Sequence, residues 1–243
     1  MTIGGYYISH PGSYALIAIF VLIEIAGMGD QTIGDRWSLS TYQVRQKKEW
    51  YRLITAGFVH VGFLHVFMNA MGIYYFGMLV EEFMGFWVML GVFLISVVGG
   101  SIFCLRVRRK DLDYRAAGAS GGVLGLMMFS VLFFPDIKLG LFLIPVMIPG
   151  PIFMILFVLG SLIFSQTTDR NRISHEGHLG GALFGGLLGL GIWIYLGMGI
   201  ENMESQVIFY NGFSVRLLAY LGVLPILLFW ILNEIKPSWF YRK

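Results

Sequence analysis

A chain of 243 residues with 57% hydrophobic and only 13% charged side chains falls far below the charge content of about 25% found in soluble domains. A water-soluble globule is excluded and a lipid-facing bundle is predicted. The net charge of +3 does not mark a nucleic-acid binder, since the basic residues flank apolar runs, as membrane topology requires. The single cysteine, Cys104, rules out an intrachain disulfide and a paired-Cys metal site.

The first thirteen residues carry no Lys or Arg, so no cleavable signal peptide is expected there. A spanning helix needs about 17–25 mostly apolar residues, and the first candidate covers 14–28, interrupted by Glu24. A polar stretch follows at 29–63, with Arg36, Arg45, Lys47, Lys48 and Arg52 and the aromatic pair Trp50 and Tyr51. The second span is predicted at 64–79, ending at Glu81 and Glu82, and the third at 86–105. After a basic loop carrying Arg106, Arg108, Arg109, Lys110 and Arg115, the fourth starts near Gly118 and stops before Pro135. Pro145, Pro149 and Pro151 then break an apolar run, because proline lacks a backbone donor and disfavours helix before it. We read a membrane-level loop there, leading into a fifth span at 152–164. A polar loop at 165–177, a sixth span at 178–198 and a last span at 215–235 with a basic tail complete the pattern. The predicted fold class is all-α: a polytopic transmembrane helical bundle of seven spans, forming one membrane domain over 1–243 without a soluble domain, linker or repeat.

With seven spans, alternate loops share a side. The first long loop, the 105–117 loop, the 165–177 loop and the C-terminus hold 15 of the 17 Lys and Arg residues, and the other side holds Lys138 and Arg216. By the positive-inside rule the basic side is cytoplasmic.

Polar residues inside spans are costly and therefore informative. His65 and Asn69 lie four apart, on one face of the second helix. Ser120 opens the fourth helix and His178 the sixth. Gly177, Gly181, Gly185 and Gly189 form a stripe of small residues on the sixth helix, and the fourth offers Gly118, Gly121, Gly122 and Gly125. Such stripes let helix backbones approach closely, which would bring Ser120 within reach of His178. A serine hydroxyl becomes a nucleophile when a base takes its proton, and histidine can accept it at neutral pH. Singly, each residue has a bland reading: Ser120 as packing, His178 as interfacial, His65 and Asn69 as cross-helix hydrogen bonds. Jointly, acyl transfer uses all four.

These residues resemble the rhomboid family of intramembrane serine proteases. Glu49-Trp50-Tyr51-Arg52, then His60, His65 and Asn69, is similar to the family's first loop and second helix. Gly118-Ala119-Ser120-Gly121 matches its Gly-x-Ser-Gly motif, and His178 with Gly181 and Gly185 its His-x-x-Gly-x-x-x-Gly motif. The resemblance covers about residues 14–198, six helices, and leaves the seventh as an appended span. It implies a serine endopeptidase with Ser120 as nucleophile and His178 as base, acting on transmembrane protein substrates within the bilayer without metal or cofactor. His65 and Asn69 would stabilise the oxyanion. Trp50, Arg52, His60, Glu81, Gly118, Gly121, Gly181 and Gly185 would give structural support, with Arg52 anchoring the first loop and Glu81 a structural glutamate at the helix end. The proline-broken segment and the 165–177 loop would form a movable gate and cap over the site.

Two positions depart from the family pattern. Leu124 stands where an aromatic residue often packs on the base, and Tyr51 where tryptophan is frequent. The family's catalytic loops usually face away from the cytoplasm, opposite to the side indicated by the charge count. The membrane expected is a bacterial cytoplasmic membrane. Two other readings of the same residues are a catalytically silent scaffold binding transmembrane clients and a small transporter or channel. Serine reactivity separates the first from a protease, and flux in liposomes would identify the second.

Overall fold

The computed structural model describes residues 10–141, 144–165, 174–196 and 223–235, with short strand pairs at 2–3/6–7 and 209–210/213–214. Within it the chain is a helical membrane bundle. Four helices are long and apolar enough to cross a bilayer: Pro11–Gly29, Phe63–Met84, Phe86–Val107 and His175–Tyr195. Three shorter apolar helices, Ser120–Phe133, Gly150–Ser165 and Val223–Ile235, fall on the predicted fourth, fifth and last spans. Residues 197–198 and 215–222 of the predicted sixth and last spans lie outside the described residues.

We number the helices in chain order. α1 (Pro11–Gly29) begins with proline in its first turn, where no amide donor is needed. The first loop folds into three short helices, α2 (Thr32–Trp37), α3 (Thr41–Lys47) and α4 (Arg52–Thr55). The second span comprises α5 (Phe63–Gly72), a π-helical turn at Ile73–Gly77 and α6 (Met78–Met84). That wider turn inserts one residue, shifting the helix face by about 100°. Gly85, with φ +86°, separates α6 from α7 (Phe86–Val107). α8 (Ser120–Phe133), α9 (Gly150–Ser165), α10 (His175–Tyr195) and α11 (Val223–Ile235) follow.

α8 is the central post. Every residue from Gly122 to Phe133 is buried, and α7 and α10 pack along it. The apolar core includes Phe20, Phe93, Met128, Phe129 and Leu183. Two glycine pairs set the α8–α10 distance. A Cβ on Gly181 would lie 2.0 Å from the Gly121 carbonyl oxygen, and one on Gly185 would lie 2.4 Å from the Gly125 Cα. Gly122 instead faces Phe93 on α7, so the stripe read on the fourth helix is shared between two neighbours.

The proline-broken segment corrects the sequence reading. It forms a two-stranded antiparallel hairpin, Lys138–Leu141 with Ile144–Pro149, and each strand keeps an unpaired edge, where proline is tolerated. It also follows Phe133, at the end of α8 remote from Ser120. The 14 residues of α8 put it about 21 Å from Ser120, so it does not lie over that residue as the sequence reading expected. The 166–173 portion of the predicted cap lies outside the described residues.

Candidate active site

α8 determines where the serine sits. Fourteen helical residues measure about 21 Å, short of a hydrocarbon core of about 30 Å. A helix of that length cannot have both of its ends at the two faces of such a core, and Ser120 is its first residue. Gly118 precedes it in a loop, not in the helix as read from sequence. Its φ of +131° suits glycine, and a Cβ there would lie 2.5 Å from the His65 ring.

The first loop holds this loop in place. Leu39 and Ser40 pair as a short strand with Ala116 and Arg115, Thr41 N–H donates to Tyr114 O (3.1 Å), and Gly118 N–H donates to Ala56 O (2.9 Å). The first loop is itself fastened by buried Arg52, which donates to the Glu49 carboxylate (2.6 Å) and to the carbonyls of Asp35 and Ser38 (both 2.8 Å). That guanidinium holds the Glu49 carboxyl below the usual carboxylate range. Trp50 is 54% exposed, its ring beside the Lys48 amine, and its carbonyl accepts from Leu53 N–H at 3.0 Å.

Ser120 Oγ lies 2.7 Å from His178 Nε2, across the glycine-lined contact of α8 and α10. Both residues are partly accessible. A neutral imidazole accepting from the serine carries its own proton on Nδ1, and among the described residues that nitrogen has no hydrogen-bond partner. The ring is flanked instead by Phe157 of α9 (centroids 5.7 Å apart) and His175 (5.6 Å). Sequence reasoning missed Phe157, because spacing in sequence does not reveal which α9 face meets α10.

His60 accepts the Ala119 N–H at 3.3 Å through Nε2, and its ring abuts His65 and Phe20 (both 5.2 Å). Burial pushes this imidazole down to about 3, so it stays neutral. His65 lies against Gly118. Asn69 is buried one turn on, and its amide donates to the His65 carbonyl (2.9 Å). Glu81 reaches away from the site: its buried carboxylate accepts from Gly12 N–H (2.8 Å), Ser13 N–H (2.7 Å) and Ser13 Oγ–H (2.7 Å). It caps the start of α1, where helix amides lack partners.

A second group that sequence reading missed steadies α10. Ser174 caps α10, accepting from Gly177 N–H at 2.9 Å. Its hydroxyl meets Tyr114 Oη (2.6 Å) and Cys104 Sγ (3.0 Å). Buried Glu176 accepts from Arg108 Nε at 2.7 Å. Burial raises the Tyr114 hydroxyl well above its ordinary range, so it remains a neutral hydrogen-bonding group. A serine directly before a glycine-rich helix is a capping signal legible in sequence. Behind Ser120, Ser101, Cys104, Ser174 and Gly177 help to line a cavity of about 30 Å³, enough for a water molecule. Among the described residues no cluster of His, Cys, Asp and Glu could hold a metal ion.

The family profile of the rhomboid domain matches residues 47–195. The chain is 35% identical over 107 residues to RHOMBOID-like protein 6, mitochondrial, of Arabidopsis thaliana, covering 44% of this chain and 34% of that protein. It is 27% identical over 171 residues to Rhomboid-like protein 16, chloroplastic, of the same plant, covering 64% and 52%. It is 39% identical over 88 residues to YdcA of Bacillus subtilis, provisionally named a rhomboid protease, covering 35% and 43%. The matches thus span about a third to a half of each relative's length. Organellar and bacterial relatives together give the expected bacterial membrane no support. Helices and relatives agree on an integral membrane protein.

Proposed function

Because the chain belongs to the rhomboid family, we propose that it is an intramembrane serine endopeptidase that cuts in or beside transmembrane segments of other membrane proteins. The observation that carries this reading is the 2.7 Å contact between Ser120 Oγ and His178 Nε2. It is supported by the position of Ser120 at the N-terminus of a helix too short to cross the bilayer core.

His178 takes the serine proton as Oγ attacks the peptide carbonyl, then returns it to the leaving amine. Charge builds on the carbonyl oxygen at the start of α8. The first N–H returned to that helix is Val123, to Ala119 O (2.9 Å), so the Ser120, Gly121 and Gly122 amides have no acceptor within it. They and the helix dipole favour an anion there. His65, whose ring lies against Gly118, would donate to the same oxygen, with the Asn69 amide bonded to its carbonyl one turn on. Water then releases the acyl-enzyme, and the small cavity behind Ser120 is a place to hold it. A substrate helix shields its peptide bonds in its own hydrogen bonds, so segments containing helix breakers are favoured.

The test is cleavage of a panel of single-span substrates by purified protein, alongside labelling by a fluorophosphonate probe. Ser120→Ala should abolish both while leaving the thermal unfolding midpoint unchanged. Full cleavage by that variant would refute the assignment. A wild-type protein that neither cleaves nor labels would favour the silent scaffold.

A further inference from the structure

The face of α1 that sets Phe20 against His60 continues one helical turn on as Ile23 and Glu24, then Gly27 and Met28. There it walls a cavity of about 490 Å³ whose other sides include Asp35, His60, Arg115 and Ala117. That size is in the range of small-ligand sites, about 300–1,000 Å³. Its charges do not cancel. Arg115 donates to Asp35 at 2.7 Å, which leaves Glu24. Among the described residues no hydrogen bond or ion pair reaches the Glu24 carboxylate. It is half-buried in an apolar helix, about 7.5 Å before the helix end, a depth at which an ionised group is costly unless it meets a partner.

The cavity adjoins the reacting groups. His60, in its wall, accepts the Ala119 N–H and abuts His65. Ala117, also in its wall, is three residues from Ser120, so at most about 11 Å away. An extended peptide covers that distance in about three residues.

We propose that this cavity is a substrate subsite for a basic side chain, Lys or Arg, about three residues from the scissile bond, with Glu24 as its counter-ion. The aliphatic stem would lie along Ile23, Met28 and Val59, and the cationic head would meet the carboxylate, as long basic side chains do at membrane interfaces. The subsite rests on the protease reading, because it assigns the cavity to the substrate of that reaction.

The test scans Lys, Ala and Glu through the positions flanking the cleavage site of a single-span substrate, with the full chain in phosphatidylcholine vesicles. At one position Lys should exceed Ala in kcat/KM by about tenfold, as expected of a close charge pair, and Glu should fall below Ala. Glu24→Gln should erase the Lys preference, and Glu24→Lys should invert it in favour of Glu, which also shows that the variant folds. A scan without a basic preference, or a preference that survives Glu24→Gln, overturns the proposal. Binding of fluorescent Lys and Ala forms of the same segment to Ser120→Ala is measured in parallel. If wild-type protein cleaves nothing, the protease reading falls, and Glu24-dependent tighter binding of the Lys form still supports a basic-side-chain site. Equal binding of the two forms overturns it. Glu24-dependent retention of phosphatidylethanolamine, with no peptide preference, assigns the cavity to a lipid headgroup and overturns it too.

Discussion

His178 is oriented by rings. Its Nδ1 has no hydrogen-bond partner among the described residues, so no carboxylate fixes the tautomer as in a triad. Leu124, where an aromatic residue would cover the base in many relatives, is buried in the α8 core. Phe157 reaches the imidazole from α9, and an aromatic contact of this kind contributes about 0.5–1.5 kcal/mol. Phe157→Ala should therefore lower kcat about tenfold with a smaller change in KM, and Phe157→Tyr should restore most of it. A raised KM at constant kcat would make Phe157 a substrate contact instead. The measurement is a full rate-against-concentration curve for each variant.

Between elements, the dyad depends on backbone contact and on the clip from the first loop. A methyl at Gly181 would fall 2.0 Å from a backbone oxygen that cannot rotate away. Gly181→Ala should push α10 off α8, costing about 3 kcal/mol, and should lower both thermal midpoint and probe labelling. Gly191→Ala, with open space around the added carbon, is the matched control and should change neither.

The clip has a pH dependence. His60 titrates near 3 in the folded protein against 6.5 for the free side chain. Between those values the unfolded chain binds the extra proton and the folded chain does not, so stability falls as pH falls through that window. Thermal midpoints measured from about pH 6.5 towards about pH 3 should decline less steeply in His60→Gln than in wild type.

For the whole molecule, the end that holds Ser120 and His178 and the basic end coincide. Ser120 and His175 start their helices beside the loop that carries Arg106 to Arg115, and α11 finishes there. Glu234 of α11 accepts from Arg109 Nη1 at 2.7 Å and from Arg106 Nη2 at 3.0 Å, and Phe229 stacks on Phe103 of α7. Topology follows Lys and Arg counts, with acidic residues contributing little, so these ion pairs do not weaken the expectation of a cytoplasm-facing site. A C-terminal reporter active only in the cytoplasm should therefore give signal. A silent reporter would put the site on the opposite face, where the family usually has it.

Apolar runs, glycine spacing and four polar residues at intramembrane positions were enough to read a helical bundle from the amino-acid order, and to mark Ser120, His178, His65 and Asn69 as a candidate site. Those signals are local: lipid forces each span to satisfy its own backbone, so a span is visible within its own stretch of chain. Other features depended on which surfaces meet in space. The strands Lys138–Leu141 and Ile144–Pro149 pair backbone groups that periodicity does not display, and Trp50 is exposed although its neighbour Arg52 is buried. Phe157 against His178, Glu176 with Arg108 and Glu81 on the start of α1 all join residues far apart along the chain, and Glu24 and His60 line one cavity. Such contacts are set by the rotation and depth of one packed helix against another, and in a bilayer that choice comes from side-chain packing and hydrogen bonds between helices, which no single segment encodes alone.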